Sequence, residues 1–275
     1  MVKIGLALGS GGARGIAHLT ILEILNEMGV VPHQVAGTSV GAIVGALYCS
    51  GVDTRETREL LNRYSVNNDD TLRSLVKSGT VRKWLDVFTP QFRGPGLVRI
   101  EKFLADLFSE IDATTFDELS IPLKVVAADM WNHQQVVFDS GALIPAVRAS
   151  MSLPGLLEPI KLNDRMLIDG GAVNPVPFDL LEDCDFTIAV NVLGHRTGKN
   201  GKTSMSDVVF STFQIMQKSI LHEKQKISAP SLLITPHLQN IRVLEFYRAN
   251  QILRLMDNQR DQFKREIAEA LAKVL

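Results

Sequence analysis

Twice near its start, this chain sends a short strand-like run into a glycine turn and straight on into a helix, and few folds accommodate that arrangement. Ile4 to Leu8 is an apolar run ending at glycines, the form of a strand covered on both faces of a parallel sheet. From Ala13 the apolar positions Ile16, Leu19, Ile21, Leu22 and Leu25 return at helical spacing until Gly29, a helix-ending glycine with Pro32 beyond it. Val35 to Thr38 reads as a second strand and Val40 to Cys49 as a small-residue helix ending at Gly51.

The alternation continues. Thr54 to Tyr64 is expected to be helical, Asn67 to Asp70 a turn, and Gly94-Pro95-Gly96 a break before an amphipathic helix near Val98 to Phe108, so that this polar middle is the candidate lid or insertion. Leu123 to Ala128 and Gln135 to Phe138 read as strands and Ala142 to Met151 as a helix. Glu158 to Leu162 and Met166 to Ile168 read as a hairpin around Asn163-Asp164. Phe186 to Leu193 and Leu232 to Thr235 are further strands, separated by a Gly, Lys and Thr-rich loop from Gly194 to Thr203 and a helix from Met205 to Lys226. Val243 to Leu275 forms one or two amphipathic helices. Strands alternating with helices predict a three-layer α/β sandwich, a central mostly parallel sheet with helices on both faces. With 275 residues, a single domain spanning 1–275 is the expectation, its part from 204 to 275 largely helical.

Bulk properties narrow the function classes. A formal net charge of −1 without basic runs disfavours nucleic-acid binding. The two cysteines, Cys49 and Cys184, lack metal or redox spacing and are expected to be reduced, buried and inert. The apolar run after Lys3 is too short for a signal peptide, and no stretch approaches the roughly twenty apolar residues that span a bilayer. A cytoplasmic protein that touches membranes only from their surface is expected.

Gly37-Thr38-Ser39-Val40-Gly41 is a G-x-S-x-G pentapeptide set where a strand becomes a helix. Such a turn is so tight that glycine is needed two residues either side, at Gly37 and Gly41, and it exposes the Ser39 hydroxyl at the sheet's carboxyl edge. Gly9-Ser10-Gly11-Gly12-Ala13-Arg14-Gly15 also follows a strand and opens a helix. Counting G-x-G-x-x-G from Gly9 lands on Arg14, and no Gly-Lys-Ser/Thr follows, so both nucleotide-loop readings fail. What remains is a row of unhindered backbone amides suited to a developing negative charge, with Gly11, Gly12, Ala13 and Arg14 as candidates.

A nucleophilic serine needs a base. Of six histidines, His195 and His237 follow predicted strands and could complete a Ser-Asp-His order, but an elbow this early in the chain does not suit that architecture. His18, His33, His133 and His222 have less in their favour. Asp169, ending the apolar strand Leu167-Ile168 and followed by Gly170-Gly171, is the better candidate, provided that desolvation raises its basicity. A plain Asp-Gly-Gly turn is its structural rival.

Together these segments resemble the patatin-like phospholipases, in particular bacterial members similar to the catalytic domain of neuropathy target esterase. The likeness runs from about residue 3 to 195. It rests on the loop Gly9 to Gly15, the elbow Gly37 to Gly41, the Ala149-Ser150 to Pro154 segment and Asp169-Gly170-Gly171. The resemblance implies a Ser39–Asp169 dyad without histidine, an oxyanion loop, no metal or cofactor, and lipid acyl esters as substrates. The loop departs from plant patatins, which have Asp-Gly where this chain has Gly9-Ser10. Trp84, Phe88, Phe92 and Phe103 are candidates for an acyl channel, with ordinary core packing as the alternative. Rival functions are an esterase, thioesterase or acyltransferase acting on soluble substrates, and a non-enzymatic lipid or nucleotide binding module.

Overall fold

The computed structural model describes residues 2–63, 105–194 and 205–274. Its strands are β1 (Ile4–Leu8), β2 (Gln34–Thr38), β3 (Leu123–Asp129), β4 (Gln134–Phe138), β5 (Ile160–Leu162), β6 (Arg165–Asp169), β7 (Phe186–Val190) and β8 (Leu232–Ile234). They form one sheet in the order β5-β6-β3-β2-β1-β7-β8, with β4 also paired to β3. From β3 through β2, β1 and β7 to β8 every pairing is parallel, whereas β4, β5 and β6 add antiparallel pairings at the β3 end. The expected mostly parallel sheet is therefore present, with an antiparallel margin.

Among the described residues the α-helices are α1 (Ala17–Glu27), α2 (Val40–Cys49), α3 (Thr54–Arg63), α4 (Leu143–Ser150), α5 (Met205–Ile227), α6 (Ala249–Asp257) and α7 (Arg260–Leu271), and residues 105–108 are also helical. Side chains alternate along a strand, and the sheet uses that period to divide its core. Leu6 and Leu8 of β1 join the large apolar cluster with residues of α1, α2, α3, α4, α6 and α7. Ala7, Ala36 and Ala189 face the other way, into a smaller cluster with Phe178, Leu181 and Leu221 of α5. Helices thus cover both faces, and the row of alanines lets the second layer lie close.

One feature of the register positions the site. β2 pairs with β3 over Leu123 to Val126, and β6 pairs with β3 over Ala127 to Asp129. β4 overlaps both of these partners, pairing with Val125 to Asp129. A strand has two edges, so β2 and β6 must share one of them and meet end to end. Thr38 lies opposite Val126 and Asp169 opposite Ala127, which brings the strand leading to Ser39 head-on against the strand that ends in Asp169.

Several elements differ from expectation. The segment from Gly12 to Ile16 is a 3₁₀ turn, and α1 begins only at Ala17; Gly12 has a positive φ of 58°, which an α-helix cannot absorb. β7 stops at Val190, short of the expected Leu193, and Cys184 is half-buried while Cys49 is buried. The hairpin turns at Asn163 and Asp164 with positive φ at both, the geometry of a two-residue type I′ turn. Among the expected middle elements, Tyr64 to Leu104 lies outside the described residues, as does the loop from His195 to Ser204.

Glu23 ties three helices together. Its carboxylate on α1 accepts from Arg58 Nε and Nη2 on α3 at 2.8 and 2.7 Å, and from Arg260 Nη1 on α7 at 2.9 Å. The Glu23 side chain is 12% exposed, so solvent screens these charges only in part. Replacing Glu23 with Ala leaves two guanidinium groups without their shared acceptor and is expected to cost about 2 kcal/mol in urea unfolding. A loss below about 0.5 kcal/mol would show that the cluster behaves as an ordinary surface pair.

Candidate active site

Ser39 occupies a strained backbone position, φ 56° and ψ −123°, between β2 and α2. A non-glycine residue held there costs on the order of 1–3 kcal/mol and persists only where its surroundings fix it. Those surroundings are explicit. The Ser39 amide donates to Ser150 Oγ at the end of α4 at 2.8 Å, and its carbonyl accepts from Ala42 at 2.9 Å as α2 begins. A Cβ at Gly37 would lie 2.6 Å from the Gly41 carbonyl oxygen, and one at Gly41 would overlap the Leu8 carbonyl, so both glycines are sterically required. Ser150 belongs to the Ala149-Ser150 segment recognised in the sequence, where its bond to the elbow could not be read.

The Ser39 hydroxyl donates to Asp169 Oδ2 at 2.7 Å. The other carboxylate oxygen, Oδ1, accepts from the Gly171 amide at 2.7 Å. Gly170 is confined by β3, since a Cβ there would overlap the Val126 carbonyl oxygen. Asp169 is 1% exposed, and this burial raises its pKa to about 6, although the bonds from Ser39 and Gly171 pull the other way. The desolvation that a carboxylate base requires is therefore present.

The glycine loop lies beside this pair. Ser10, Gly11, Gly12 and Arg14 line one cleft with Ser39, Asp169 and Leu153. Gly9 and Ser10 donate their amides to Val190 and Pro175 at 3.0 and 2.8 Å, anchoring the loop on β7 and on the segment after Asp169. The Ala13 amide donates to the Val243 carbonyl at 2.7 Å. Ala13 is thus removed from the expected oxyanion donors, because its hydrogen is already engaged. The amides of Gly11 and Gly12 have no acceptor among the described residues. Arg14 is a brace: its buried guanidinium donates from Nε to Val192 O and from Nη1 to Ile241 O, both at 3.0 Å. Burial lowers its pKa to about 10, which leaves it cationic at neutral pH. The remaining cleft wall comes from α5, through Phe210, Phe213, Gln214 and Gln217, and from Val243. These residues gave no signal in the sequence, whereas Trp84, Phe88, Phe92 and Phe103 lie outside the described residues.

No histidine among the described residues lines the cleft. His237 is exposed, and its backbone amide bonds Gln259 Oε1 at 2.9 Å; His195 lies outside the described residues. His18 is fully buried beneath the loop, 2.7 Å from Nε2 to the Gly9 carbonyl, and burial lowers its pKa to about 4. It is therefore neutral, with Nε2 carrying the proton given to Gly9. Among the described residues no cluster of His, Cys, Asp and Glu could hold a metal.

Residues 6–182 match the model of the patatin-like phospholipases. The chain belongs to this family. An uncharacterised NTE family protein of Mycobacterium tuberculosis is 33% identical over 198 residues, 71% of this chain and 51% of that protein. Neuropathy target esterase sws of Drosophila melanogaster is 29% identical over 74% of the chain, and lysophospholipase NTE1 of Cryptococcus neoformans 30% over 66%. The chain spans about half of the mycobacterial relative and 14% and 10% of the other two. Among solved structures, VipD of Legionella pneumophila aligns over 94% of this chain and 67% of its own length, with a TM-score of 0.48 and 14% identity.

Burying Asp169 has a thermodynamic sign. Its pKa of about 6 in the fold exceeds the unfolded value of 3.8, so the folded protein binds the proton more tightly. Its contribution to stability is then fully present below about pH 4 and is lost as pH rises to about 6. Asp169→Asn, which keeps the shape without the charge, is expected to unfold at a higher temperature than the parent at about pH 8 and to lose that margin by about pH 4. Calorimetry at the two pH values checks this; a margin independent of pH would contradict it.

Proposed function

We propose that the protein is a serine hydrolase of lipid acyl esters, phospholipids or lysophospholipids, working through a Ser39–Asp169 dyad and an acyl-enzyme. The observation that carries this reading is the 2.7 Å bond from Ser39 Oγ to a buried, desolvated Asp169 carboxylate at a strained elbow. Asp169 takes the hydroxyl proton as Ser39 Oγ attacks the ester carbonyl, and the Gly11 and Gly12 amides receive the oxyanion. The tetrahedral intermediate collapses by breaking its bond to the leaving alkoxide, which takes the proton from Asp169. Water, deprotonated by the same carboxylate, then attacks the acyl-enzyme, and collapse of that intermediate breaks its bond to Ser39 Oγ, which takes the proton back from Asp169 as the acid leaves. Every proton is accounted for by Asp169 and water, and no cofactor is required.

The apolar part of the cleft, Leu153, Phe210, Phe213 and Val243, supports an acyl chain as the bound group. The relatives named as an esterase and a lysophospholipase support ester hydrolysis. Among the described residues no helix is long and apolar enough to cross a membrane. On this reading the enzyme meets its lipid as dispersed monomers or at a membrane surface.

Labelling with a fluorophosphonate, followed by a panel of matched short and long acyl esters, tests the proposal. Ser39→Ala is expected to remain folded and to retain less than a few per cent of the hydrolysis, with Asp169→Asn nearly as damaging. His237→Ala and His195→Ala are expected to be mild; a folded but inactive variant of either would replace the dyad with a triad. Preference for short soluble esters would favour a general esterase, thioesterase or acyltransferase, and an unlabelled Ser39 would favour a binding module.

A further inference from the structure

With the Ala13 amide committed to Val243, the loop offers two backbone donors, and a side chain beside them has gone unused. Ser10 is 1% exposed and lines the cleft with Ser39 and Asp169. Its backbone is fixed by the 2.8 Å bond to Pro175 O. Its Oγ accepts a hydrogen bond from Gln217 Nε2 at 2.9 Å, across 207 residues of sequence. Gln217, on α5, is 4% exposed and lies beyond the residues that match the family. Among the described residues the Ser10 hydroxyl hydrogen has no acceptor.

A hydroxyl is one donor with two acceptor positions, and its hydrogen rotates away from an incoming N–H. Gln217 therefore sets the Ser10 hydroxyl as a donor. The position that a Cβ on Gly171 would take lies 2.9 Å from Asp169 Oδ1 and 3.1 Å from Ser10 Oγ, and would overlap Gln217 Nε2. Asp169 Oδ1, Ser10 Oγ and Gln217 Nε2 thus crowd one spot beside Gly171.

We propose that Ser10 is a further catalytic residue, a side-chain donor to the substrate's carbonyl oxygen as it becomes an oxyanion, and that Gln217 is the residue that positions it. The inference rests on the hydrolase reading above. Ser10 keeps its proton throughout, and the contribution is a hydrogen bond that strengthens as charge develops. The α5 helix then completes the site rather than merely covering it.

The test is steady-state hydrolysis of a short-chain nitrophenyl ester, together with the rate of fluorophosphonate labelling of Ser39. Ser10→Ala is expected to lower kcat by about tenfold to a hundredfold with KM within about twofold, and to slow labelling in parallel. Ser10→Cys, similar in size with a weaker donor, is expected to show the same direction, and serves if the alanine variant does not fold. Ser10→Thr should recover much of the rate. Gln217→Met should lower kcat less than Ser10→Ala, and the double variant should be no worse than Ser10→Ala alone, because Gln217 acts through Ser10. A Ser10→Cys or Ser10→Ala enzyme with unchanged kcat overturns the inference, as does a loss confined to KM or a double variant whose effects multiply. A wild type that neither labels nor hydrolyses any ester removes the hydrolase reading and this one with it; an active wild type beside an unimpaired Ser10 variant removes this one alone.

Discussion

The site depends on a division of one edge of β3 between two strands. Hydrogen bonding to β3 fixes β2 up to Val126 and β6 from Ala127 onward, so Thr38 and Asp169 face consecutive residues of a single strand. Side chains alternate faces with a period of two, and a slip of one residue in either pairing would turn Asp169 away from Ser39. The ladder that builds the core therefore sets the alignment of the two oxygens. Gly170 belongs to the same constraint, because only a residue without a side chain passes the Val126 carbonyl at that junction.

Around this junction the protein holds unfavourable elements in place with favourable ones. Ser39 has a left-handed φ, Asp169 is a buried carboxylate, and Arg14 is a buried guanidinium. None of these is stable alone in an apolar interior. Ser150 takes the Ser39 amide, Gly171 and Ser39 bond the carboxylate, and the Val192 and Ile241 carbonyls receive Arg14. Further out, Asn174 is fully engaged. Its carbonyl accepts from Thr38 Oγ1 at 2.8 Å, its Nδ2 donates to Gln135 Oε1 at 2.9 Å and to Asp179, and its Oδ1 accepts from Lys224 of α5. The turn after Asp169 is thereby bound to the strand before Ser39.

Much of this was legible in the sequence, for a physical reason: local geometry imposes local composition. Gly37 and Gly41 had to be glycine for the elbow to close, and the apolar runs of β1, β2, β3 and β7 had to look buried because they are. Distance along the chain hid the rest. Nothing near Ala13 foretells that Val243 will take its amide, and nothing near Ser10 points to Gln217. The antiparallel pairing of β6 with β3 was also hidden, although its hairpin with β5 was not, since a short apolar strand reads alike in either direction. Phe210 and Phe213 on α5 line the cleft, and nothing in the sequence around them points to Ser39.

The bond between Ser39 and Asp169 joins residues 130 apart in sequence, and that separation becomes a delay during synthesis. The segment carrying β1, β2 and α2 emerges while the chain beyond β3, with the Ser150 that fixes the elbow, is still being made. Throughout that interval Ser39 is an ordinary alcohol with no base beside it. The carboxylate arrives only when β6 docks on β3, and Gln217 of α5 arrives later still. On the proposed mechanism, a nascent or truncated chain that stops before β6 cannot attack esters, and hydrolytic competence appears only after most of the sheet has assembled.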